Sequence, residues 1–285
     1  MTDTITTKAD IQAQDTNKKE QLIKKYSRRL VIVTGDKGGV GKSTFARGLV
    51  QTYIDAQLRF VGFDADISNS QLVRFYGEHC SIEPLNIFKN GNIDKFFDGL
   101  KKKIYPEPNQ DGYQPKEESR FLLELPPQSR IILQRFIQGM DFLETAETDY
   151  DMRVTMVVVI SRISDSVNQL INLHSFCGQR VDYLVVKNLF FGEEEEFTRY
   201  NKSIEIAEIR NEMEKDKSPF ITINMPELIE HAYDYLDEKN MTFKQGMEQK
   251  DLPSVKGRVT SWLRTFKEEI KPAQGILGLD DVKIS

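Results

Sequence analysis

The segment Gly35-Asp36-Lys37-Gly38-Gly39-Val40-Gly41-Lys42-Ser43-Thr44 has the residue types and spacing with the most specific chemistry in this chain. It is close to the pattern G-x-x-x-x-G-K-[ST], with one extra residue between Gly35 and Gly41. Glycines let consecutive backbone N–H groups turn toward one centre and form an anion nest, and a helix beginning there adds the positive end of its dipole. Lys42 supplies a point charge for β and γ phosphates, and the Ser43 hydroxyl can ligate Mg²⁺. Gly38, Gly39, Val40, Gly41, Lys42, Ser43 and Thr44 are therefore the expected phosphate-binding residues.

Carboxylates form the second set. Asp64 and Asp66 close a short apolar run, and residues i and i+2 of a strand share a face, so both suit the positioning of a water or a metal. A pair of helix-capping acids is the alternative reading. Glu124, at the end of Phe121-Leu122-Leu123-Glu124-Leu125, is a third acid beside a strand terminus. His79, His174 and His231 are scattered without a triad or ligand pattern, and Cys80 and Cys177 lack metal-ligand spacing.

The elements around these residues supply the test of the loop. Leu30 to Thr34 is a β-branched run that enters the glycine turn, and Phe45, Leu49, Tyr53 and Ile54 follow at helical spacing. Further strands are predicted at 59–63, 121–125, 154–160, 181–187 and 220–224. Helices are predicted at 70–76, 93–104, around 129–145 and at 164–177. Residues 105–119, with Pro106, Pro108, Gly112 and Pro115, read as a loop, and 77–119 as a whole has no evident role. The alternation predicts an α/β fold, a three-layer α/β/α arrangement with a mostly parallel sheet. Ligands of such sheets lie beyond the carboxyl ends of the strands, where the polar strand termini gather.

The 285 residues divide into a polar tail at 1–28, helical over 16–26, one domain at 29–272 and a C-terminal tail at 273–285. With 39% hydrophobic, 29% charged and 10% aromatic residues the composition is that of a globular protein. The longest apolar runs fall far short of the roughly 20 residues that cross a bilayer, and the N-terminus lacks the apolar stretch of a signal peptide. With two isolated cysteines, the expected location is the reducing cytoplasm. A net charge of −5 excludes a surface that is basic all over, though not a local basic patch. Glu193 to Glu196 reads as a solvated acidic face.

Lys37, a second lysine inside the loop, makes the run Lys37-Gly38-Gly39-Val40-Gly41-Lys42-Ser43-Thr44, which resembles the deviant Walker A box of the ParA/MinD family of P-loop ATPases. The resemblance extends from about Leu30 to about Leu236. It implies a homodimer that sandwiches two ATP molecules, with Lys37 reaching the partner's phosphates. It also implies Lys37, Lys42 and Asp66 as the catalytic residues, Asp66 positioning the attacking water. Ser43 and Asp64 are then on the Mg²⁺ side, Asn188 on adenine, and Pro226 in the loop that packs on the base. Glu124 departs from the family's aspartate; it is one methylene longer, and is expected to hold a magnesium-bound water. Lys187-Asn188-Leu189-Phe190 is not the [NT]-K-x-D of a guanine site, and Thr7-Lys8-Ala9-Asp10, which matches it, precedes the loop.

Four tasks suit such an ATPase. ParA-like partition of plasmid or other DNA cargo needs ATP-dependent nonspecific DNA binding and an adaptor protein that stimulates hydrolysis. The helix around Lys256, Arg258, Arg264 and Lys267 supplies cations for it, while Val259, Trp262, Leu263, Phe266 and Ile270 form a stripe suited to core packing. A MinD-like membrane switch needs a terminal amphipathic helix, and the end of this chain carries two acids and little cationic charge, so no stable membrane anchor is expected. An accessory ATPase of conjugative mobilisation and a metabolic synthetase share the same motifs.

Overall fold

The computed structural model describes residues 26–35, 37–108, 110, 112–280 and 282–284. The predicted tail helix except Tyr26, Thr7-Lys8-Ala9-Asp10, and Asp36 of the loop lie outside them. Among the described residues seven strands form one sheet: β1 (Arg28–Thr34), β2 (Val61–Asp64), β3 (Ile82–Pro84), β4 (Arg120–Glu124), β5 (Met152–Ile160), β6 (Asp182–Asn188) and β7 (Phe220–Met225). Their order is β3-β2-β4-β1-β5-β6-β7, and every pairing is parallel.

The helices in chain order begin with α1 (Lys42–Asp55), α2 (Gln71–Tyr76), α3 (Asn92–Ile104), α4 (Arg130–Gly139), α5 (Phe142–Thr148) and α6 (Ser164–Cys177). They continue with α7 (Thr198–Asn201), α8 (Ile204–Lys215), α9 (Glu230–Glu238), α10 (Phe243–Glu248) and α11 (Pro253–Ile270). Strand β3 was not foreseen. It is a three-residue edge strand ending in Pro84, whose missing N–H a sheet edge tolerates. The helix expected around 129–145 is two, because Asp141 takes a left-handed conformation (φ 47°) that an α-helix cannot include.

Alternation along the strands divides the core into two layers. Leu30 and Ile32 of β1 face one side with Phe121, Leu123, Met156 and Val158, closed by α3 to α6. Val31 and Val33 face the other with Leu122, Val157, Leu184 and Ile223, closed by α1, α2, α9, α10 and α11. Strands buried on both faces must be apolar throughout, which is why β1, β5 and β6 read as continuous hydrophobic runs.

The stripe of α11 is core: Val255, Val259, Trp262, Leu263, Phe266 and Ile270 are buried, and Lys256, Arg258 and Arg264 stay exposed. Gly48 of α1 lets that helix approach, since a Cβ there would stand 2.8 Å from the Phe266 ring. The segment expected as a tail at 273–285 instead folds back, with Ala273, Ile276, Leu277, Leu279 and Ile284 buried in the same layer. Its apolar residues cover sheet that would otherwise meet water, and the Tyr53 hydroxyl donates to the Leu277 carbonyl at 2.6 Å. Among the described residues no helix is long and apolar enough to cross a membrane.

Candidate functional site

β1 delivers the glycine loop to the carboxyl edge of the sheet and α1 starts at once behind it, so the loop's amides and the helix N-terminus converge. Gly41 carries the turn at φ 101°, and a Cβ on it would lie 2.4 Å from Asn188 Nδ2. Glycine, having no Cβ, is the residue type that tolerates both that backbone and that approach. Lys42 is 5% exposed, and its Nζ donates to the Lys37 carbonyl at 3.0 Å. Its charge is thereby held over the centre of the loop.

A cavity of about 360 Å³ opens beside the loop. It is lined by Gly39, Gly41, Lys42, Ser43 and Thr44 of the loop and α1, by Asp66, Asn69 and Gln71 after β2, by Asn188 and Pro226, and by Leu228, Glu230, Tyr233 and Asp234. Lys37 is absent from this lining. It is exposed and borders a separate open surface with Arg130, Asp165, Asn168 and Asn172.

The three acids have different surroundings. Asp66 lines the cavity and accepts from Ser68 Oγ at 2.6 Å. Asp64 is fully buried, and its two oxygens accept the backbone N–H groups of Asp66 (3.1 Å) and Val73 (3.0 Å). Its carboxylate thus anchors α2, the capping alternative, and is turned to amides instead of the cavity where a magnesium role would want it. Burial pushes its carboxyl up, against the pull of those amides.

Glu124 is buried beside the loop, and the Ser43 hydroxyl donates to its Oε1. Its Oε2 has no partner among the described residues. A serine hydroxyl next to a carboxylate with an unused oxygen is a hard, all-oxygen donor pair that fits Mg²⁺, an ion held by one or two carboxylates together with phosphate oxygens and water. Among the described residues no group of three His, Cys, Asp or Glu side chains that could hold a metal ion occurs.

Burial, the largest influence, pushes the Glu124 carboxyl up to about 8; the Ser43 hydrogen bond opposes it, and the Asp64 charge adds to it. An unfolded glutamate titrates near about 4.3. Between these values the folded chain holds a proton that the unfolded chain has lost, so this group's contribution is fully favourable below the lower value and is lost as pH rises through the upper. The metal-free protein is expected to lose thermal stability from about pH 5 to pH 8 through this group. Glu124→Gln should flatten that slope when melts are recorded in EDTA across the range. Equal slopes for the two proteins would contradict the assignment.

Asn188 ends β6 against the loop. Its Nδ2 donates to the Val40 carbonyl (2.9 Å), and its Oδ1 accepts the Phe190 N–H (3.1 Å). The side chain expected on adenine is thus engaged in fixing the phosphate loop to β6. Pro226 lines the cavity, and its carbonyl accepts from Trp262 Nε1 at 2.8 Å.

The acidic run behind Asn188 is more than a solvated face. Glu194 pairs with buried Lys187 at 3.1 Å and accepts from Asn224 Nδ2 at 2.9 Å, while Glu196 pairs with Arg162 at 2.6 Å. These contacts staple the loop to β6, to β7 and to the segment after β5, a role that the sequence signalled only as charge. Gln71, Glu230, Tyr233 and Asp234 were also missed, since short helices distant in sequence bring them to the cavity.

An anion nest at the carboxyl edge of a parallel sheet, with a buried lysine and an oxygen donor pair beside it, defines a phosphate-loop nucleotide-binding protein. Residues 31–237 match the CobQ/CobB/MinD/ParA nucleotide binding domain, and the chain belongs to that family. Among solved structures it is similar to MinD cell division protein of Aquifex aeolicus, at 15% identity over 85% of this chain and 97% of that one, TM-score 0.42. It is also similar to a Borrelia burgdorferi protein described as a plasmid partition protein and bound to AMPPNP, at 12% identity over 90% and 100%, TM-score 0.44. A nucleotide-binding protein of Archaeoglobus fulgidus in complex with ADP shows 17% identity over 79% and 91%, TM-score 0.43. No curated protein matches the sequence.

Proposed function

We propose that this chain is an ATP-hydrolysing dimer switch of the ParA-like kind, which holds nonspecific duplex DNA in its ATP-bound state and is released by hydrolysis. The observation that carries the reading is the outward position of Lys37. A lysine inside the phosphate loop that faces away from its own cavity is placed to meet the phosphates of a second copy.

Other features support it. Ile67, Ile131, Ile163 and Phe190 are exposed, and they follow the carboxyl ends of β2, β4, β5 and β6 on the side of the molecule where Lys37 lies. Apolar side chains around a ligand mouth favour its closure by a partner surface. In the bound state Ser43 and Glu124 would hold Mg²⁺, which supplies charge neutralisation at the phosphates. Lys42 orients the β and γ phosphates, and Asp66, on the cavity wall, orients the attacking water. Exposed Lys256, Arg258 and Arg264 on α11 supply phosphate contacts for DNA. An adaptor protein that accelerates hydrolysis completes the cycle.

The test is retention on nonspecific duplex DNA and on anionic vesicles with and without ATP, beside Lys37→Ala and Asp66→Ala. ATP-dependent DNA retention that salt and Lys37→Ala abolish is expected, with Asp66→Ala retained longer than wild type. Retention on vesicles alone would replace the DNA role with a membrane one, and retention on neither would overturn both.

A further inference from the structure

Gln71 opens α2, and it is 7% exposed. Its Nε2 donates to the Tyr233 hydroxyl of α9 at 3.2 Å, while its Oε1 is buried without a partner among the described residues. Turning the amide round does not remove the deficit: the hydroxyl would then donate to Oε1 and leave the nitrogen unmatched. A buried polar atom with no partner calls for a ligand or a water, and Gln71 and Tyr233 both line the cavity beside the phosphate loop.

The lining of that cavity carries two opposite kinds of chemistry. Backbone N–H groups and Lys42 stand at the loop. Helices α2 and α9 bring to the cavity the Gln71 amide, the Tyr233 hydroxyl and the carboxylates of Glu230 and Asp234. A molecule that satisfies both has a polyanion at one end and N–H donors at the other.

The helices that carry Gln71 and Tyr233 are also firmly held. Asp64 anchors α2 through the Val73 N–H. One turn beyond Thr44, the buried Arg47 guanidinium stacks on Phe75 at 3.6 Å and lies 5.9 Å from the Tyr233 ring. Asn188, in contrast, has its amide committed to Val40 and Phe190.

We propose that Gln71, held by Tyr233, is the specificity-determining residue for the base and accepts a hydrogen bond from the exocyclic amino group of the bound purine. This rests on the adenine-nucleotide reading above. A site built to pair a polar substituent rejects the analogue that lacks it far more strongly than a merely apolar pocket does, because the site's own group is then left unpaired.

The experiment compares binding of ATP and of purine riboside 5′-triphosphate, which lacks the amino group, to the full chain with Mg²⁺. Wild type is expected to prefer ATP by about tenfold or more. Gln71→Leu should bring the two affinities within about twofold of each other, and Tyr233→Phe, which keeps the ring but frees the amide, should give an intermediate ratio. No preference in wild type, or a full preference in Gln71→Leu, overturns the inference while the nucleotide reading stands. If Gln71→Leu does not fold, an undiminished preference in Tyr233→Phe overturns it equally. Failure of wild type to bind either triphosphate overturns the nucleotide reading itself.

Discussion

Lys37→Ala is expected to lower steady-state ATP hydrolysis by about 1,000-fold or more and to abolish ATP-dependent dimerisation, with far less effect on the affinity of the monomer for ATP. The separation follows from geometry. Lys42, not Lys37, lines the cavity, and Lys37 borders the open surface beside Arg130 and Asp165. A cation supplied from a partner meets developing phosphate charge only once two copies close, and there it acts in a site from which water is excluded. Truncating it removes the transition-state charge and an attraction between copies together. The backbone carbonyl of Lys37, which holds Lys42, survives the substitution. Sedimentation with a non-hydrolysable ATP analogue reads the dimer, and phosphate release reads the rate. A Lys37→Ala protein that hydrolyses ATP as wild type does would remove the basis for a dimer switch.

Lys42→Ala acts on the opposite step and should weaken ATP binding by about 100-fold, equivalent to about 2.7 kcal/mol. That is the size of one strong charge-assisted hydrogen-bond set to an anion. The effect is large because Lys42 is 5% exposed and already positioned by its bond to the Lys37 carbonyl, so little ordering cost offsets the gain. The mutation also leaves that carbonyl without its lysine partner, which loosens the loop. Titration of wild type and variant with ATP in the same buffer reads the loss. Equal affinities would mean that the anion nest alone carries the phosphates.

A nucleotide site of this kind is legible in sequence where its chemistry is local. Lys37 to Thr44 are contiguous, and the loop, its helix and the preceding strand announce one another through glycine spacing and apolar periodicity. The same holds for β5 and β6, whose unbroken apolar runs can only lie in a sheet covered on both faces. Where a side chain's role depends on what a distant segment places beside it, the sequence was silent or misleading. Asp64 and Asp66 look equivalent at i and i+2, yet α2 packs its amides against Asp64 and leaves Asp66 to the cavity. Asn188 reads as a base contact, but the close approach of Gly41 puts its amide on the Val40 carbonyl. The C-terminal residues read as a tail because they are few and mixed in character. Their apolar members are buried because the sheet offers them a face to cover.

The sequence by itself determined the phosphate loop, the parallel α/β fold and membership of a nucleotide-binding family, since each depends on short-range spacing and periodicity. Tertiary structure alone decided that Ser43 meets Glu124, that Lys37 borders a surface apart from its own cavity, and that Gln71 and Tyr233 meet in the lining of that cavity. Those pairings join residues tens to hundreds of positions apart, and only the stacking of helices on a common sheet brings them within hydrogen-bonding distance.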